Sequence, residues 1–151
     1  MTDTLVRPAY VYVASSWKNL MQEAVVCTLR AAGIACYDFK YDEGANFHWH
    51  EAGVNSDVET HDGYLSGLAH SRAVEGFASD FDAMKRADAC VLVLPCGRSA
   101  HLELGWFVGQ GKRTAILLEH GHVTPPELMY KMVDHIAPSV IDLLGWLGVA
   151  D

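Results

Sequence analysis

Positive charge is what this chain has least of. Lysine and arginine number 11 against 19 aspartates and glutamates, a formal net charge of -8 in 151 residues, and the basic residues form no run. A nucleic-acid polymer is a poor partner for such a chain, because neutralising phosphates takes clustered cations. A small anionic ligand is not excluded, since one or two local cations and backbone N–H groups suffice for it. Long apolar runs are missing too: no stretch approaches the roughly 20 apolar residues that span a bilayer. The opening MTDTLVRPAY lacks the apolar centre of a signal peptide. Cysteine is sparse and irregular, at Cys27, Cys36, Cys90 and Cys96, which fits buried free thiols better than a disulfide framework. Neither GxGxxG nor the Walker pattern occurs, so dinucleotide and P-loop readings are weak. These absences predict a soluble, cytoplasmic protein with no membrane or nucleic-acid partner.

What is present is globular composition, 50% hydrophobic and 20% charged, at the length of one domain spanning residues 1–151. Ala9 to Ala14 (AYVYVA) reads as a first strand. A helix follows from about Trp17 to Ala32, capped by Ser15 or Ser16 and stopped at Gly33. Its predicted apolar stripe is Leu20, Met21, Ala24, Val25, Thr28 and Leu29. Ile34 to Phe39 is the second strand. Lys40 to His70 shows no sustained periodicity and reads as a long functional or mobile loop. Ser71 to Ala87 reads as a helix interrupted at Gly76, followed by an apolar strand from Ala89 to Leu94. A helix from about Ala100 to Gln110 ends at Gly111, and Thr114 to Leu118 is the next strand. Pro125 and Pro126 suit the start of a short helix to about Met132. His135 to Ala137 would be a last strand, and Ser139 to Leu147 a final helix. Strands alternating with helices predict an α/β fold, an open parallel sheet of about five strands with helices on both faces.

The segment VLVLPCGRSAHLELGWFVGQGKRTAIL carries most of the chemical information. It reads as strand, tight Gly-containing loop, helix and strand. In an open parallel sheet, ligands bind at the carboxyl ends of strands. Glu103, early in the helix, is there either a reactive carboxylate or a complement to the helix dipole. Ser99 is a candidate cap, and free N–H groups beside it suit an anionic or hydroxylated ligand. Asp80, Asp82 and Asp88 precede this segment. Two carboxyl groups near one site permit nucleophile and acid roles at a glycosidic bond, although Asp88 reads more readily as a loop or capping residue. Ser15, Ser16, Lys18 and Asn19 form a polar strand-to-helix turn suited to phosphate or sugar hydroxyls, or simply to solvent. His48, His50 and His61 lack metal-site spacing, the first two lying on opposite sides of an extended chain, and read as loop decoration. Tyr37, Phe47, Trp49 and Tyr64 suit either stacking on a base or ordinary packing.

Taken together, these residues resemble the nucleoside 2-deoxyribosyltransferase family, including its 2'-deoxynucleoside 5'-monophosphate N-glycosidase branch. The resemblance covers about residues 9–39 and 78–132 and rests on ASDFDAMKRADACVLVL followed by GRSAHLELGWFVGQGKR. It implies a flavodoxin-like fold and a helix glutamate, here Glu103, that attacks the anomeric carbon and forms a glycosyl-enzyme ester. It implies Asp80 as the aspartate assisting protonation and orientation, and Asp88 as a second family aspartate. Ser16 and Lys18 match a Ser-x-Arg phosphate-binding turn, with lysine in place of arginine and hence without bidentate geometry. Ser99 matches a loop serine. Arg98 and His101 are additions to the pattern, expected beside Glu103 as substrate-contacting groups. The PELMYKM segment, with Met129, matches a region through which a neighbouring subunit completes the pocket, implying a homodimer or higher homo-oligomer.

The expected function is therefore cleavage or transfer at the N-glycosidic bond of a nucleoside or nucleoside 5'-monophosphate, with no cofactor and no metal. Two rivals accompany it: a non-catalytic sensor of a nucleotide or ADP-ribose-like ligand, and glycohydrolysis of NAD.

Overall fold

A computed structural model describes residues 6–42, 44–55, 59–119, 121 and 125–149. Its strands are β1 (Tyr10–Ala14), β2 (Ala35–Tyr37), β3 (Ala89–Val93), β4 (Arg113–Leu117) and β5 (His135–Ala137). Its helices are α1 (Leu20–Ala31), α2 (His61–Ala69), α3 (Ser71–Arg86), α4 (Arg98–Gly109) and α5 (Val140–Trp146), with 3₁₀ turns at Trp49–Ala52 and Leu128–Met132. All strands are parallel, in the order β2-β1-β3-β4-β5. This is the flavodoxin-like order, and it reverses direction between β1 and β3, where doubly wound sheets bind ligands. The chain groups into two compact units, Met1–Asp38 with Arg86–Asp151, and Phe39–Lys85.

The first unit holds the sheet. Period-2 alternation along buried strands sends successive side chains to opposite faces. Val11, Val13, Val91, Val93 and Leu117 pack with Val25, Val26 and Leu29 of α1 and Leu143 of α5. Tyr12 points the other way, stacked on Tyr37 at 5.4 Å and tilted against Phe107 of α4 at 5.7 Å. β3 is buried at every residue, as a central strand covered on both faces requires.

α1 departs from expectation at its start. Asn19 is the cap, its side chain accepting from the Met21 N–H, and the helix begins at Leu20 rather than Trp17. The buried stripe is Gln22, Val25, Val26 and Leu29, while Leu20 is 75% exposed. A polar residue enters the stripe because its amide donates to Asp38 Oδ1 at 3.0 Å. Gly33 ends the helix as expected, at φ 78° and donating to Arg30 O.

The second unit corrects the reading of residues 40–70 as a loop. It contains the 3₁₀ turn Trp49–Ala52 and α2, and α3 runs unbroken through Gly76. Both helices make close approaches through glycine. A Cβ at Gly67 would lie 2.1 Å from Val54 Cγ2, and one at Gly76 would lie 2.7 Å from Phe47 Cβ. Phe47, Trp49 and Tyr64 pack on one another, with centroids 5.2 and 6.2 Å apart. Among the described residues no helix is long and apolar enough to cross a membrane.

Candidate functional site

The β1–α1 turn and the β3–α4 loop meet at the switch point and are tied together by side chains. Ser15 Oγ donates to Val93 O at 2.8 Å. The buried Asn19 amide donates to Ser15 Oγ, Val93 O and Pro95 O at 3.0, 3.2 and 3.1 Å. Asn19 thus caps α1 with its oxygen and anchors the neighbouring loop with its nitrogen. Ser16 Oγ accepts from the Lys18 N–H at 3.3 Å, and Lys18 is exposed on the same turn. Both therefore sit at the carboxyl edge of the sheet.

The Leu94–Pro95 peptide is cis, and Gly97 is the N-cap of α4. Ser99 is accordingly inside the helix and not its cap. Arg98 and Ser99 are exposed in the first turn, whose N–H groups lack intrahelical partners. Glu103 is partly buried and lies in the second turn. Its carboxylate, after burial itself, raises the thiol pKa of both Cys90 and Cys96, the latter to about 12. Glu103 therefore acts on a region of low polarity beside β3, where charges are poorly screened.

His101 faces elsewhere. Its Nδ1 is 2.8 Å from Gly97 O and 3.7 Å from Cys96 Sγ, and its Nε2 is 2.8 Å from the Tyr130 hydroxyl. The His101 and Tyr130 rings stack at 5.8 Å. Burial first, then the Cys96 and Glu127 groups, pushes the Tyr130 phenol above its ordinary value. Both side chains line a cavity of about 610 Å³ at the carboxyl ends of β3 and β4, with Cys96, Leu104, Glu119 and Met129 also in its wall. At 3.6 residues per turn Glu103 sits about 200° around α4 from His101, and it is not in that wall. The structure brings His101 and Met129 together and leaves Glu103 on another face of the same helix. The expectation that His101 stands beside Glu103 is corrected to this extent.

Asp88 is also repositioned. It precedes β3 at the amino end, where Oδ2 accepts from the Ala9 and Tyr10 N–H groups at 2.7 and 3.0 Å. Five residues at about 3.3 Å each put it roughly 16 Å from the carboxyl edge. It pins β1 to β3 and does not join the candidate site. Asp80 lies partly buried on α3, in the second unit. His48 and His50 are stacked at 5.6 Å rather than on opposite sides of the chain. No group of three or more potential metal ligands occurs among the described residues.

Two contributors escaped the sequence reading. The bridging role of Asn19 was hidden in a turn read only as polar, although its spacing of four from Ser15 was visible. Tyr130 gave no signal, because its partner His101 is 29 residues away.

Comparison with known proteins bears on the fold. No family model and no curated protein sequence matches the chain significantly. Among solved structures, a 2-deoxyribosyltransferase from the psychrotolerant bacterium Bacillus psychrosaccharolyticus superposes with a TM-score of 0.57 and 16% identity, over 95% of this chain and 93% of that one. A conserved protein from Enterococcus faecalis V583 gives a TM-score of 0.59 and 13% identity, over 92% and 96%. At such identities the likeness is one of architecture, and it agrees with the fold that the sequence pattern implied.

Proposed function

We propose that this protein cleaves or transfers at the N-glycosidic bond of a nucleoside or nucleoside 5'-monophosphate. The observation that carries the reading is Glu103: a partly buried carboxylate on the helix following the central strand, at the switch-point end of the sheet. The deoxyribosyltransferase with the same architecture lends it support.

In the reaction, a Glu103 carboxylate oxygen bonds to the anomeric carbon as the carbon–nitrogen bond breaks. The bonding pair leaves with the base, which takes up a proton. Water or a second base then attacks the same carbon and releases the glutamate, giving hydrolysis or transfer. Splitting one displacement into two in this way is the gain from covalent catalysis. Substrate, acceptor and side-chain carboxyls account for every proton and electron pair, so the scheme calls on no cofactor. Asp80 is assigned the protonation of the departing base, on its place in the sequence pattern. Ser16, Lys18, Arg98 and Ser99 are assigned the sugar and phosphate oxygens, with Lys18 as a point charge and the first turn of α4 supplying N–H groups. His101 and Met129 are assigned to the cavity side. The exposed Leu128, Met129 and Met132 suit coverage by a second copy of the chain.

The test is a panel of deoxynucleosides, their 5'-monophosphates, ribonucleosides and NAD, with free base measured by chromatography. Base release from a nucleoside or monophosphate is expected, falling by about 10³-fold or more in Glu103→Gln. Release that persists in Glu103→Ala refutes the assignment. Tight calorimetric binding without turnover would replace the enzyme with a sensor.

A further inference from the structure

The groups around His101 lie in a line: Gly97 O, Nδ1, Nε2 and the Tyr130 hydroxyl, with both hydrogen bonds at 2.8 Å. A carbonyl oxygen only accepts, so the nitrogen facing Gly97 carries a proton. In the neutral ring Nε2 then holds a lone pair, and the Tyr130 O–H is its donor. The Cys96 thiol, 3.7 Å from Nδ1, adds only a weak contact. The protonated-Nδ1 form is the less abundant tautomer of a free neutral histidine side chain, so it is held here from both ends. What it holds matters, because Gly97 is the N-cap of α4 and has no side chain with which to cap it. Its carbonyl closes the first turn of the helix on the His101 N–H, and the His101 ring gives that same carbonyl a second donor. Tyr130 comes from the 3₁₀ turn Leu128–Met132, in the β4–β5 crossover. The crossover is thereby linked to the entry of the helix that bears Glu103.

We infer that Tyr130 is a positioning residue, which fixes the tautomer of His101 and through it holds Gly97 and the first turn of α4. Its catalytic consequence rests on the N-glycosidic reading of Glu103; its structural content does not. Tyr130 touches no reacting atom in this scheme. It acts by keeping the loop between β3 and α4 in one shape.

The experiment compares wild type, Tyr130→Phe and His101→Asn. Nitrogen-15 spectra of the imidazole in the wild type are expected to show a proton on Nδ1 and an unprotonated Nε2. In Tyr130→Phe the Nδ1–H tautomer, now held only by the Gly97 carbonyl, loses population to Nε2–H, and amide exchange speeds up in the first turn of α4, most clearly at His101. With an active substrate in hand, kcat falls about fivefold, the scale of one lost hydrogen bond, while KM changes little. Asparagine places an amide nitrogen near the position of Nδ1, so His101→Asn keeps the bond to Gly97 without needing Tyr130. Adding Tyr130→Phe to it should then cost nothing more, a coupling that a residue important only for packing would not show. A wild-type ring protonated on Nε2, alone or on both nitrogens, overturns the inference. So does a Tyr130→Phe protein whose tautomer shifts while first-turn exchange stays unchanged. A wild type that releases no base from any substrate sinks the glycosidic reading, while the spectra and exchange still decide this one.

Discussion

Replacing Asn19 by alanine tests the junction between the two loops at the switch point. Its oxygen accepts from the Met21 N–H at 3.0 Å, and its nitrogen donates toward Val93 O and Pro95 O at 3.2 and 3.1 Å. Losing the helix cap costs about 1 kcal/mol. Pro95 O loses its donor and Val93 O keeps only the Ser15 hydroxyl, the two lost bonds together costing about 2 kcal/mol. The combined loss, about 3 kcal/mol, corresponds to a fall in Tm of about 6–12 °C for a chain of this size. Thermal unfolding followed by circular dichroism measures it. Asn19→Asp sharpens the test, because it retains the cap acceptor but turns a second oxygen toward the two carbonyls. It should be destabilised at least as much as Asn19→Ala at neutral pH. Wild-type stability in Asn19→Asp would mean that the amide does not donate to Val93 and Pro95, and the tie between the loops would be refuted.

Two further outcomes follow from the placement of single residues. Asp88→Ala should cost about 1–2 kcal/mol through the lost bonds to the Ala9 and Tyr10 N–H groups, while base release per folded molecule stays unchanged; a selective loss of activity would return Asp88 to the site. Cys96, its thiol pushed up to about 12 by burial and then by Glu103, should alkylate far more slowly than the exposed Cys27 at pH 8. Its rate should rise about tenfold per pH unit from pH 7 to 10, as the thiolate fraction does; mass mapping of labelled peptides that finds Cys96 modified first would contradict its placement.

The parallel sheet was legible because its strands are apolar runs separated by helical periods, and burial enforces both patterns. In the second unit α3 was legible, but the stretch before it was not. α2 and α3 make their closest approaches through Gly67 and Gly76, against Val54 and Phe47. Contacts made by the absence of a side chain leave no hydrophobic period, so Gly76 read as a break where it is a point of close packing. The start of α1 slipped for a related reason. Ser15 and Ser16 are good caps in isolation, yet Ser15 spends its hydroxyl on Val93 O, and the cap passes to Asn19. At the candidate site the motif singled out α4 but not the directions in which its side chains point. Asp88 was grouped with Glu103 because they are close in the motif. A fully buried strand lies between them, and it sets them at opposite ends of the sheet.

The same geometry sorts the rest of the motif. Arg98, Ser99, His101 and Glu103 are contiguous enough in sequence to look like one set. A helix advances about 100° per residue, so it pairs residues spaced three or four apart. Ser99 and Glu103, four apart, share one side of α4. Arg98 and His101, three apart, share the other. The His101 side is occupied by the Gly97–Tyr130 line and the cavity wall. The Glu103 side is the one whose charge reaches Cys90 on β3. In the proposed reaction, a sugar presented to Glu103 has the Ser99 hydroxyl as its partner on that side of the helix. His101 instead holds the Gly97 carbonyl at the start of the helix, and Ser99 is the motif residue that shares the side of Glu103.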